Sequence, residues 1–256
     1  MAVIRPPASI TRVGTFEPWE LQVSRGQIPW HSVVNLFGNT TALGSTAYGP
    51  LWAGLTSAGG AYAYPGSAVV MTLASASASD TAVVITINGL DANFAPITED
   101  VALNGTTGVN TTKSYRRINS MLTLSGNAVG IVTAKNGGTT YAQINAGEAD
   151  TQASFYTVPA GYTFYQTYYQ GDSNTSVTGG TYVKLRTYSV DNAAGGVIHA
   201  ALQTAFVQQL SIPLQYPLAY GEKTDIQYQM IGSGGAGAIA NIYVGGILIK
   251  NDAGTA

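Results

Sequence analysis

The chain has 256 residues, of which 9% are charged and 45% hydrophobic, with 31 glycines, no cysteine and a formal net charge of −2. An ordinary soluble domain carries about 25% charged residues, so charge-driven disorder is excluded, as are disulfides, thiolate metal sites and cysteine nucleophiles. The scattered Lys and Arg residues give no footprint for phosphates, and the longest apolar runs, such as Ala68–Met71, fall far short of the roughly 18 residues a spanning helix needs. Neither nucleic acid nor a membrane is an expected partner. Met1 to Ile10 carries Arg5 and two prolines where a leader needs an apolar block, so no secretory leader is expected. With so few charges, the surface must be coated by small polar residues or covered by other subunits.

Residues 1–66 hold all three tryptophans, Trp19, Trp30 and Trp52, beside Phe16, Phe37 and six of the ten prolines. They read as an irregular, aromatic-rich N-terminal arm, folded over its own domain or docked on a partner. Thr15 to Gly38 is the candidate docking segment, with Trp19, Trp30 and Phe37 as anchors, because large aromatics at an interface centre bury about 150–250 Å² each.

Beyond the arm the hydrophobic period is two, with β-branched and aromatic runs bounded by Gly, Asn, Asp and Pro. Strands are predicted at Ala68–Ala74, Ala82–Asn88, Ile97–Leu103, Thr111–Leu124, Gly130–Lys135 and Thr140–Asn145. Turn signals stand at Asn88-Gly89, Asn104-Gly105 and Asn136-Gly137-Gly138. A second series covers Ala153–Val158, Tyr162–Gln170, Thr181–Val190, Val197–Leu210, Asp225–Ile231 and Ala238–Lys250, with turns at Pro159-Ala160-Gly161 and Gly179-Gly180. Ile198–Leu210 also fits a helical period. The expected architecture is all-β: two antiparallel β-sandwich domains of jelly-roll or Ig-like type, at 67–150 and 151–256, preceded by the arm at 1–66.

No catalytic template is satisfied. Gly232-Ser233-Gly234-Gly235-Ala236-Gly237 matches the spacing of a dinucleotide loop, but the following Ala240–Val244 alternates like a strand and offers no helix N-terminus. A hairpin loop is expected instead, and no cofactor. Asp91-Ala92-Asn93 opens like a calcium loop, yet Pro96 and Ala102 occupy the positions of the turn glycine and the bidentate Glu. Asp91, Asn93, Glu99 and Asp100 therefore read as solvated turn residues, with no metal. His31 and His199 are the only histidines and lie in no nucleophile motif; both read as structural. The pairs Glu148 with Asp150 and Glu17 with Glu20 read as solvated. Arg116-Arg117 places adjacent cations on opposite faces of a strand, so one must find a carboxylate or an interface. Tyr162, Tyr165, Tyr168 and Tyr169 suit an interface or core, and could also build a sugar platform.

The runs Leu21–Gln27 and His31–Gly38 resemble the opening of virion structural proteins of tailed bacteriophages, many of them marine and cyanophage-like. The stretch SASASDTAVVITINGLDANFAPITEDVALNGTTGV, Ser75–Val109, is similar to a module recurring in them, as are YTVPAGYT at Tyr156–Thr163 and the pairing of GEKTDIQYQ with GGILI near the end. The resemblance implies a non-enzymatic particle component with no catalytic residue to carry over, most simply a capsid cement or decoration protein located in the virion and assembled in the host cytoplasm. Its partners would be the major capsid protein or other virion proteins, and itself as a homo-oligomer, a trimer being one form. A tail, neck or fibre-attachment protein is the alternative within the particle, and a carbohydrate-binding module the alternative outside it. The low charge agrees with subunit burial, since exposed sheet edges are usually shielded by Lys, Pro or bulges.

Overall fold

The computed structural model describes residues 17–55, 58–174, 182–233 and 238–251. One short helix, α1 (Trp19–Ser24), precedes β1 (His31–Leu43) and β2 (Gly49–Pro50). Then follow β3 (Val69–Ser75), β4 (Val84–Leu90), β5 (Pro96–Ala102), β6 (Val109–Tyr115), β7 (Arg117–Ser125), β8 (Val132–Asn136) and β9 (Thr139–Ile144). The series ends with β10 (Phe155–Thr157), β11 (Tyr162–Ser173), β12 (Val183–Asp191), β13 (Val197–Phe206), β14 (Gln209–Tyr220), β15 (Thr224–Gly232) and β16 (Ala238–Lys250). The protein is all-β and the strand pairings are antiparallel. No described helix is long and apolar enough to cross a membrane.

The strands among the described residues form four sheets. Sheet I runs β1-β16-β11-β14, and sheet II runs β10-β15-β12-β13 with β2 also on β15. Sheet III runs β6-β3-β8-β9 and sheet IV β5-β4-β7. Alternation explains the layering: β4 buries Ile85 and Ile87 while Thr86 and Asn88 stay half-exposed. One core gathers Met71, Leu73, Ile85, Tyr115, Met121 and Val132 from sheets III and IV. Another gathers Leu36, Phe164, Val244, Leu185, Tyr228 and Met230 from sheets I and II. In the second core the Tyr220 and Tyr228 hydroxyls donate to the buried Gln166 Oε1 at 3.4 and 2.9 Å, and burial pushes the Tyr220 phenol up to about 12.

The two regions are joined by a buried ion pair. Arg117, first residue of β7, donates through Nε and Nη2 to Asp225 of β15 at 2.7 and 2.8 Å, both side chains being almost fully buried. The Thr157 hydroxyl and the Asn192 amide also donate to that carboxylate, and the Tyr64 ring lies 4.4 Å from the guanidinium. A small cluster of Tyr62, Ala153 and Phe155, with Trp52 and Tyr64 against it, fills space beside this link; Tyr62 and Phe155 stack at 4.0 Å. The cation that had to find a carboxylate is Arg117, while Arg116 lies over the Phe94 ring.

Four expectations need correction. The N-terminal 66 residues are not wholly irregular: β1 is a 13-residue strand pairing with β16 from His31↔Ile249 to Thr40↔Ala240. Its outward positions, Val33 and Phe37, are apolar, which erases the polar–apolar contrast that marks a strand. Thr111–Leu124 is two strands, broken at Arg116, where the chain turns from sheet III to sheet IV. Val197–Leu210 is likewise two, divided at Val207-Gln208, with Gln208 at φ 67°, and the helical alternative does not form. Asn88-Gly89 lies inside β4 rather than in a turn; a Cβ at Gly89 would fall 2.3 Å from the Arg117 carbonyl oxygen, so glycine there permits close strand approach. The Gly179-Gly180 turn, Thr15, Phe16 and Gly234–Gly237 lie outside the described residues.

Candidate docking face

Helix α1 begins after Pro18, whose fixed ring suits a helix start, and is held by the Gln22 amide donating to the Glu17 carbonyl at 2.8 Å and by an Arg25–Glu17 ion pair. Only Val23 is buried, and it anchors the helix; Gly26 at φ 66° ends it. Trp19 is thereby left 43% exposed, its ring edge-on to His31 at 5.6 Å. Trp30 follows at φ 65°, a left-handed conformation that costs a bulky residue free energy. It is held by the Lys250 N–H donating to the Trp30 carbonyl at 3.0 Å and by the Lys250 ammonium 4.7 Å from the ring, and the side chain stays 57% exposed.

From there β1 sends His31, Val33, Asn35 and Phe37 to the outer face of sheet I, while Leu36, Gly38 and Thr40 turn inward. Across the sheet Phe37 faces Tyr243, Asn35 faces Gly245 and Val33 faces Ile247. On the far side of β16, Gln170, Tyr168 and Tyr165 oppose the same three residues. A bulge at Thr167 turns Tyr168 outward beside Tyr165, and at that bulge a Cβ on Gly246 would meet the Phe164 ring and the Tyr165 carbonyl at 2.5 Å. The Tyr168 and Tyr243 rings tilt together at 5.9 Å, and the Tyr243 hydroxyl donates to Asn35 Oδ1 at 2.9 Å. Between α1 and this face runs a groove of about 650 Å³ walled by Trp19, Val33, Tyr165, Tyr168, Pro217 and Tyr243.

The structure thus brings Trp19 and Phe37 onto one surface and sets Trp30 at the entrance of the same strand. None of the three is buried. Sequence reasoning missed Val33, Asn35 and Tyr243; the signal present was the alternation His31, Val33, Asn35, Phe37. Of the tyrosine group, Tyr165 and Tyr168 belong to the groove, whereas Tyr169 is buried and Tyr162 packs against the core.

The remaining candidates have local roles. Asp91 Oδ1 accepts the Asn93 and Ala95 N–H groups of its own turn at 2.8 and 2.9 Å. Asp100 accepts the Thr86 hydroxyl at 2.6 Å. Burial opposes ionisation of Glu99, but the Thr112 and Lys113 N–H groups outweigh it and hold the carboxyl below its usual range. His31 bonds the Pro29 carbonyl through Nδ1 at 2.7 Å, and the His199 carbonyl accepts the Ser189 hydroxyl. Glu148 accepts the Gln152 amide, Asp150 bridges to Leu122, and Glu17 is taken by Arg25 while Glu20 stands at the groove. A carboxylate not singled out by sequence, Asp80, is buried and accepts the Ser75 hydroxyl and the Val129 and Gly130 N–H groups. The Ser75 bond, with help from those two N–H groups and against burial, lowers its pKa.

No protein-family model matches the chain, and no curated protein matches it. Among solved structures it has weak similarity to a mutant VP2 protein of infectious bursal disease virus in derived T=1 particles, with 11% identity over 87% of this chain and 70% of the other and a TM-score of 0.20. The structure of the Gx strain of the same virus gives 10% identity, 86% and 70% coverage and a TM-score of 0.19. Overlap at that level carries no argument about fold or function.

Proposed function

We propose that this chain is a non-enzymatic structural protein of a tailed-phage particle, a capsid cement or decoration protein that docks on a neighbouring virion protein through the outer face of sheet I. The observation that carries the docking half is the exposure of Trp19, Val33 and Tyr243 around one groove, with the exposed Phe37 beside Tyr243 on the same sheet face. Exposed aromatics gathered on one face are the composition of interface centres. The particle half rests on the sequence resemblance over Ser75–Val109 and its flanking runs. The finer description of the fold belongs to the same reading: two sandwich units, 67–150 and 151–256, supported by the two separate cores, with β1 completing the second.

The test compares Trp19→Ala and Phe37→Ala with wild type for melting temperature of the free protein and for occupancy on particles lacking it. Loss of a central aromatic costs an interface on the order of 2 kcal/mol or more, so occupancy should fall while melting holds. Unchanged occupancy would remove the docking face. Turnover of host polysaccharide or peptidoglycan abolished by one carboxylate substitution would remove the non-enzymatic reading.

A further inference from the structure

The edges of sheets III and IV are capped from within. On β6, the Thr112 and Lys113 N–H groups donate to Glu99 of β5 at 2.7 and 3.0 Å, and the Lys113 ammonium returns to the Thr98 carbonyl. On β9, the Tyr141 carbonyl accepts the Tyr62 hydroxyl. On β7, Thr123 donates to Ala149 at 2.7 Å and Thr151 donates back to Met121 at 3.0 Å. In sheet I, β1 carries α1 across its start and is bulged between Thr40 and Leu43, and β14 contains Pro213 and Pro217. Such devices blunt a sheet edge.

Strand β13 has less protection. It is the outermost strand of sheet II, and among the described residues no strand pairs with its outer side. Val197–Phe206 contains no Lys, Arg, Asp, Glu or Pro, and His199 is its one titratable side chain. A register shift opposite Arg186 and Thr187 leaves Leu202 as an extra residue, so the regular stretch is Val197–Ala201. There Val197 is 45% and Ile198 60% exposed.

We propose that Val197–Ala201 pairs antiparallel with the same residues of a second copy about a two-fold axis, joining two copies of sheet II into one continuous sheet. An edge strand run antiparallel to itself is self-complementary, each unpaired N–H meeting a carbonyl of the partner. A strand without Lys, Arg, Asp or Glu also meets its own copy without the like-charge repulsion those residues would bring. Val197 and Ile198 then gain cross-strand neighbours in place of water.

Sedimentation of the full chain over a range of micromolar concentrations should show a species of twice the 26.5 kDa chain mass. Ile198→Lys, at a position exposed enough to leave folding intact, should raise the dissociation constant by about tenfold or more. Val129→Lys, equally exposed but in the loop before β8, should leave it unchanged. Hydrogen exchange on the wild type gives a readout independent of any variant: amide protection within Val197–Ala201 should rise with protein concentration. A wild-type monomer throughout the range, a dimer indifferent to Ile198→Lys, or concentration-independent exchange in this stretch would each overturn the proposal. The measurements use free protein, so their failure is distinct from failure to dock on a particle.

Discussion

Sheets III and IV and sheets I and II are built from the same antiparallel elements, yet they treat their surfaces differently. The first region exposes only aliphatic large side chains, such as Leu124 and Val129, and closes its edges with Glu99, Tyr62 and the 149–151 segment. The second exposes Trp19, Trp30, Phe37, Tyr182, Tyr216 and Tyr243 and, among the described residues, leaves no strand on the outer side of β13. Scarcity of charge therefore has two solutions within one chain. One region closes its edges with its own groups, and the other leaves aromatic side chains exposed among the described residues.

The largest effect should come from cutting the link between the regions. Arg117→Met leaves Asp225 buried without its cation, which should cost about 3–5 kcal/mol. Hydrogen exchange pulsed across a urea titration, read separately for the amides of sheets I and II and for those of sheets III and IV, should give transitions that coincide in wild type and separate in the variant. Coincident curves in both would mean that the regions do not depend on Arg117 to unfold together.

Gly246→Ala tests the bulge that turns Tyr168 outward. Its Cβ would overlap the Phe164 ring and the Tyr165 carbonyl, and such overpacking costs about 1–3 kcal/mol. The corresponding loss should appear in the melting of the free protein and in the groove.

Asp80→Asn probes the self-contained region. Replacing the carboxylate weakens two backbone bonds and the Ser75 bond, so a loss of about 1–3 kcal/mol is expected at neutral pH. The pKa of Asp80 is lowered by folding, so its stabilisation is present above the ordinary value of 3.8 and is lost as pH falls through the folded value. The gap between wild type and variant in urea midpoint should therefore close on acidification. A gap that persists once pH has fallen below the folded value would assign the loss to packing rather than charge.

The smallest effect is expected at Phe37→Ser, within about 0.5 kcal/mol for the free protein, because the ring has little to lose on a solvent-facing position. A larger loss would mean that the outer face of sheet I is part of the fold and would weaken the contrast between the regions.

Where one face of a strand is polar, as at Thr86 and Asn88 of Val84–Leu90, the sequence was readable; Ala238–Lys250 was readable instead from its continuous apolar and aromatic run. β1 was not, since Val33 and Phe37 face outward and Gly38 and Asn39 interrupt the pattern. Pro213 and Pro217 hid β14 for the opposite reason, because prolines argue against a strand unless it lies at an edge. The need of one Arg at 116–117 for a carboxylate was legible, but its partner Asp225 stands 108 residues away and no local spacing announces it. Trp19, Trp30 and Phe37 could be named from residue type alone. The groove that Trp19 borders could not, because Tyr165, Tyr168 and Tyr243 join it only through the β11–β16 register.

Pairing of β1 with β16 also fixes an order of events during synthesis. Sheets III and IV draw on a continuous stretch, Val69 to Ile144, and can close while the ribosome is still making the rest. Sheet I cannot: its first strand must wait until the last, more than 200 residues later, has emerged, since His31 pairs with Ile249. Closing so long a loop is entropically costly and slow. In the interval β1 and α1 are exposed with their aromatic residues unpaired, so nascent-chain proteolysis should find Val69–Ile144 resistant well before the residues that flank it.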